Sequence, residues 1–190
     1  MARLGCKCGH TMGSSECPSP YSFYVYYGNE VMDAIKENKE LRLIDFIMNW
    51  DELNSCRKEY MIRKEAVDYW HCPECNRVYE CQARGEGHWL RAYRREDNIE
   101  KSFDKRELIR LYVFSEVNSD NVLEENPDIL LSEYISGLNQ DFYVTKDETY
   151  VYAFNHYSEE VLFAYVLEET LPSVLPDGFA YEEYIKEQQI

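Results

Sequence analysis

Two short pairs of cysteines, Cys6-x-Cys8 and Cys72-x-x-Cys75, are the residues of this sequence whose type and spacing specify chemistry most plainly. Each pair sets two thiols on one tight turn, and two such turns supply the four soft ligands that a tetrahedral zinc ion takes. Gly9, directly after Cys8, suits a turn whose amides point back at sulfur, and Pro73 favours a tight turn inside the second pair. Four thiolates leave no open coordination position, so the pattern predicts zinc that holds structure rather than zinc that activates water. An iron site of rubredoxin type takes the same four thiolates and fits the spacing equally. A redox Cys-Pro-x-Cys would need its first thiol at a helix N-terminus, where the dipole lowers the thiol pKa. Val78-Tyr79-Glu80-Cys81 reads as strand instead, which sets a thiol redox protein behind the metal reading.

His10 and His71 flank the two pairs, and either could replace one thiolate, although their simpler reading is as neighbours of the ligands. Cys17, Cys56 and Cys81 read as buried or idle thiols, with Cys81 alone near enough to stand in for a ligand.

The elements that must position the thiols follow from the patterning. Gly9 to Pro20 is rich in Gly, Ser and Pro and reads as a loop, and Tyr21 to Tyr27 as an aromatic strand. Asn29 suits the cap of a helix from Glu30 to Lys39, and Leu43, Phe46, Ile47 and Trp50 recur at helical spacing. Ala66 to His71 and Arg77 to Gln82 read as strands on either side of the second pair, followed by a turn at Arg84 to Gly87 and a third strand from His88 to Arg95. Strict alternation puts Leu90 and Ala92 on one face of that strand and Trp89, Arg91, Tyr93 and Arg95 on the other.

At Cys72-Pro73-Glu74-Cys75 and its flanking strands the sequence resembles a zinc ribbon; the first pair departs from the ribbon pattern, with one intervening residue where ribbons more often have two. The 63 residues between Cys8 and Cys72 then form the metal loop, with the stretch around Tyr21 to Arg63 as an insertion between the two halves of the ribbon. Closing a loop of that length costs a few kcal/mol of chain entropy, which a structural zinc site contributing on the order of 10 kcal/mol offsets.

Downstream, Leu108 to Val117 reads as a strand, Asn126-Pro127-Asp128 as a helix start, and Phe142 to Thr145 with Thr149 to Phe154 as a hairpin. Val161 to Leu167 reads as a further strand, although Ser158-Glu159-Glu160 before it could equally start a helix, and Tyr181 to Lys186 reads as a last short helix. The expected fold class is α+β: a zinc-ribbon-like antiparallel part with a helical insertion, then an acidic antiparallel-sheet part with short helices.

Charge supports a division at the same place. Of the net −16, residues 1–106 carry −1 (17 basic, 18 acidic) and residues 107–190 carry −15 (3 basic, 18 acidic). The expected organisation is therefore a ribbon-like domain over 1–106 and an acidic domain over 107–190. An acidic half repels nucleic acid phosphates and attracts a basic protein, although solubility alone also explains such charge. With no Ser-His-Asp arrangement, P-loop or dinucleotide glycine pattern, an enzyme is disfavoured. The reading that results is a non-enzymatic, zinc-stabilised protein-binding module whose acidic half engages a basic partner, as an immunity-type inhibitor or a charge mimic. The alternative is a nucleic-acid-associated ribbon factor that uses Trp89, Arg91, Tyr93 and Arg95 as a basic and aromatic face. No apolar run reaches membrane-spanning length and no secretory stretch opens the chain, so cytoplasmic residence is expected, where cysteines serve metals before disulfides.

Overall fold

A small hairpin opens the chain: β1 (Arg3–Gly5) pairs antiparallel with β2 (Thr11–Gly13), placing Leu4 opposite Met12, both buried. The computed structural model describes residues 3–13, 18–52, 67–81, 89–99 and 105–171. The turn expected at Arg84 to Gly87, the helix near Tyr181 to Lys186, Cys17 and Cys56 lie outside them.

The chain continues through β3 (Ser22–Tyr27), α1 (Gly28–Glu37), α2 (Leu43–Glu52), β4 (Val67–His71), β5 (Val78–Cys81) and β6 (Trp89–Glu96). After a 3-10 turn at Lys105–Glu107 come β7 (Ile109–Ser115), α3 (Glu116–Glu125), α4 (Leu131–Ser136), β8 (Gln140–Val144), β9 (Tyr150–Asn155) and β10 (Val161–Thr170). Strands β3 to β10 close into one antiparallel barrel in the order β10-β6-β5-β4-β3-β7-β8-β9, with β9 returning to β10.

This overturns the expected α+β fold class, a ribbon-like part with a helical insertion followed by an acidic sheet. The protein is mostly β, with four short helices among the described residues, and four barrel strands come from each side of residue 106. Two long-range seams make the difference. Strand β3 pairs with β7 from Phe23↔Ser115 to Tyr27↔Leu111, and β6 pairs with β10 through Arg95↔Tyr165. Closing the sheet pairs every barrel strand with two neighbours, although β7 and β8 meet over only part of their length.

Each strand presents one face to the lumen and one outward. Phe23 and Val25 face in, while Tyr26 faces out beneath the helices with Phe46, Phe114 and Tyr134. Tyr26 meets Phe46 at 4.9 Å between ring centroids, and Phe114 stacks on Tyr134 at 5.5 Å. A second outer cluster, containing Leu4, Met12, Trp70, Tyr79 and Trp89, lies under the β1–β2 hairpin. A third joins Tyr152, Phe154 and Ala164.

Helix boundaries shift for local reasons. Helix α1 begins at Gly28, with the Glu30 carboxylate accepting from the Tyr27 amide at 3.2 Å. Asn126 ends α3 instead of starting a helix: its amide donates to the Val122 carbonyl at 2.8 Å. Helix α4 starts later, at Leu131. No helix among the described residues is long and apolar enough to cross a membrane.

Gly28 sits where α1 crosses β7. A Cβ there would lie 3.1 Å from both the Cβ and the carbonyl oxygen of Arg110. Overpacking of this kind costs about 1–3 kcal/mol, against a helix-propensity gain of at most about 1 kcal/mol. Gly28→Ala is expected to lower the urea midpoint with an unchanged m value, a net loss on the order of 1 kcal/mol; a raised midpoint would show that α1 and β7 can part at no cost.

Candidate metal centre

The hairpin turn between β1 and β2 carries Cys6 and Cys8, and the turn between β4 and β5 carries Cys72 and Cys75. Both turns are built alike. Gly9 donates its amide to the Cys6 carbonyl and Asn76 donates to the Cys72 carbonyl, each at 2.9 Å. The residue after each pair has a positive φ, +93° at Gly9 and +57° at Asn76. In the second turn the amide after that left-handed step, from Arg77, meets the Cys75 sulfur, and only glycine adopts such a step without penalty. Asn is among the few other residues that tolerate it, and here its side chain holds a place by meeting His71 Nε2 at 3.2 Å.

The two turns bring all four sulfurs within 4.8 Å of one another. Cys6 to Cys8 is 3.3 Å, Cys6 to Cys75 3.4 Å and Cys8 to Cys72 3.7 Å. A tetrahedral zinc with Zn–S near 2.3 Å separates its sulfurs by about 3.8 Å, whereas a disulfide bond is about 2.05 Å. The donor set and its spacing therefore fit a metal ion, and all four cysteines are free thiols.

The surroundings treat the four thiols unequally. Burial pushes Cys6 up to about 12, against the opposing pull of the Cys8 amide and the Tyr79 hydroxyl. Burial also raises Cys72. Cys75 is only half-buried; partial burial pushes it up, but hydrogen bonds from the Arg77 amide and guanidinium outweigh that and draw it down to about 7. Tyr79 stands 3.1 Å from Cys6 Sγ and accepts from the Lys7 amide at 3.0 Å, which links the first knuckle to β5. Lys7 pairs with Glu169, and Arg77 pairs with Glu168 at 2.8 Å, so two cations lie between the thiols and β10. Four thiolates around a divalent ion would carry a net −2; Lys7 and Arg77 stand next to that charge while each is also paired with a β10 carboxylate. Sequence reading missed Lys7, Arg77 and Tyr79; their closeness in sequence to the ligands was the available signal.

Neither flanking histidine joins the cluster. His10 Nε2 is buried without a hydrogen-bond partner among the described residues and its ring lies against Tyr21. His71 turns into the barrel lumen. Cys81 Sγ lies 3.8 Å from the Tyr79 carbonyl, away from the four thiols.

The four residues proposed from β6 are not brought together on one face. A bulge shifts the register between Glu80↔Arg91 and Cys81↔Trp89, so Leu90 is the extra residue. Trp89 consequently faces out, buried 5.6 Å from the Tyr79 ring in the cluster beside the metal turns. Tyr93 and Arg95 line the lumen, and Arg91 pairs with Glu80 and Glu148.

Fold and site together define a closed β-barrel with a four-thiol, metal-compatible cluster on two of its turns. The chain belongs to the family described as Domain of unknown function (DUF8617), whose model matches residues 2–156. That span holds all four cysteines and the strands through β9, with β10 beyond it. Comparison with curated proteins finds no match, and comparison with solved structures finds none either.

Proposed function

We propose that this protein is a non-enzymatic binding module: a β-barrel stapled by one structural zinc on Cys6, Cys8, Cys72 and Cys75, whose acidic surface takes a basic protein partner. The four-thiol cluster carries the proposal, because a zinc ion with four sulfur ligands has no position left for water or substrate. The partner reading rests on charge. Exposed Asp120, Glu124, Glu125, Asp128 and Glu133 follow one another along α3 and α4, and of these only Asp128 meets a cation, Arg42, among the described residues. Such a surface speeds encounter with a basic protein and loses that advantage as salt rises. An immunity-type inhibitor of a basic toxin, or a mimic of nucleic acid charge, works in this way.

The test uses protein purified without added metal. Elemental analysis is expected to find about one zinc per chain; iron in its place would move electron transfer forward. Immobilised zinc-loaded protein should retain basic proteins at low ionic strength and release them near 0.5 M salt, where the screening length falls to a few ångströms. The variant Asp120→Lys/Glu124→Lys/Glu125→Lys should lose that retention. Binding of a DNA duplex or an RNA oligonucleotide at moderate salt would overturn the partner reading and favour the nucleic-acid alternative.

A further inference from the structure

We propose that the barrel lumen is a binding site for a small aromatic acid. An eight-stranded barrel is just wide enough either to be filled by its own side chains or to hold one small ligand. Here the two ends of the lumen differ. At one end Tyr27, Tyr69, Glu80, Arg91 and Glu148 join in a hydrogen-bonded stopper, beside which only about 20 Å³ of space is left. Towards the other end a cavity of about 340 Å³ opens, with every barrel strand contributing to its wall. That volume lies in the range of small-molecule pockets, about 300–1,000 Å³.

The wall states the chemistry of the occupant. Its body is aromatic and aliphatic: Phe23, Phe142, Phe163 and Tyr165 surround the space, with Val113 and Val151 between them. Phe142 and Phe163 stand 6.5 Å apart between centroids, and Phe163 meets Tyr165 edge-on at 5.5 Å. Flat rings pack against such faces and edges at low entropic cost. Among the described residues of the lining, Arg95 is the one permanent cation and none carries a carboxylate. Its guanidinium lies 4.1 Å over the Phe163 ring, and Nε donates to Asp97 at 2.8 Å. The two terminal nitrogens have no hydrogen-bond partner among the described residues, which leaves a fork of donors suited to a carboxylate. The amides of Asn76 and Gln140 lie in the same wall.

A route inward exists as well. Strands β7 and β8 pair only from Ile109↔Val144 to Leu111↔Phe142, and beyond that they part. The gap opens on a groove of about 550 Å³ beneath α3 and α4 that shares Phe23, Leu111, Val113, Gln140 and Phe142 with the lumen.

This inference is independent of the acidic surface and of any protein partner. Because Asn76 belongs to the second metal turn, the test uses zinc-loaded protein of verified metal content, so an empty lumen is told apart from an unfolded one. The probes are 2-naphthoate, its neutral counterpart 2-naphthylmethanol, and octanoate, followed by titration calorimetry and by methyl NMR of the lumen valines. The expected result is saturable binding of one naphthoate per chain with shifts at Val113 and Val151. Naphthoate should bind about tenfold more tightly than 2-naphthylmethanol, the usual worth of one charge-assisted contact. It should also bind more tightly than octanoate, which keeps the carboxylate but has no ring to pack against the aromatic wall. Arg95→Gln should remove the preference for naphthoate over 2-naphthylmethanol, and Val113→Phe should block both while the zinc content and melting transition persist. Absence of saturable binding on folded, zinc-loaded protein would overturn the proposal. So would octanoate binding as tightly as naphthoate, or naphthoate shifts confined to residues outside the lumen.

Discussion

Chelation of the zinc proposed for the four-thiol cluster, or Cys72→Ala, is expected to leave a chain without its cooperative melting transition. Cys72 is fully buried and its turn joins β4 to β5, so the sulfur cluster is continuous with the barrel wall. Structural zinc contributes about 10–16 kcal/mol in small zinc-dependent domains. Whole domains are stable by only about 5–15 kcal/mol, so removing the ion should exceed what the remaining packing sustains. Loss should spread from the cluster of Trp70, Tyr79 and Trp89, which the β1–β2 hairpin covers only while the first knuckle is held. Near-ultraviolet circular dichroism should therefore collapse together with the thermal transition, and readdition of zinc should restore both. Cys81→Ala is the matched control: that sulfur lies outside the cluster, and its loss should leave zinc content unchanged with a cost of at most about 1.5 kcal/mol. A chelated protein that keeps its near-ultraviolet signal and its melting point would show that the thiols lie together without holding the fold.

The cysteine cluster was legible because metal chemistry imposes local spacing: two pairs, each on a turn closed by a left-handed residue. Strands rich in aromatic and β-branched residues were legible too, and the hairpin β8–β9 lies where Phe142 to Phe154 predicts it. Closure of the barrel was not. The pairings of β3 with β7 and β6 with β10 join segments about 70 to 90 residues apart, and no local pattern records which strands will meet. The charge break near residue 106 invited a two-part fold, yet charge belongs to exposed positions and says little about strand order. Helix α3 was missed because Glu116–Glu125 has few apolar residues; its start depends on Ser115, whose hydroxyl accepts from the Asn118 amide at 3.4 Å. One bulged residue, Leu90, was enough to send Trp89 to the opposite face from Arg91.

Arg91→Met should cost about 2–3 kcal/mol, less than the 3–5 kcal/mol typical of breaking a fully buried ion pair, because the Arg91 and Glu148 side chains are 32% and 31% exposed. Arg91 is the cation that serves two carboxylates in the lumen stopper. It donates to Glu80 at 3.2 Å and also to Glu148. Tyr69 donates to the same Glu80 oxygen at 3.2 Å, and Tyr27 donates to Glu148 at 2.7 Å. Burial already holds the Glu80 carboxyl above its ordinary range, with Arg91 pulling the other way. Removing the cation raises it further. An acid raised in the folded state stabilises the fold below its unfolded value, near 4.5, and loses that contribution as pH climbs through the folded value. The defect of Arg91→Met should therefore widen as pH rises above that unfolded value, and measuring it towards neutral pH also avoids protonating the four cysteine thiolates. Adding Glu80→Gln should recover part of the loss, since the amide oxygen still accepts from Tyr69 while the buried charge is gone. Denaturant unfolding of the wild type, both single variants and the double variant measures the coupling directly. A double variant no more stable than Arg91→Met, with a defect flat in pH, would mean that Arg91 contributes through its aliphatic stem and not through the carboxylates it joins.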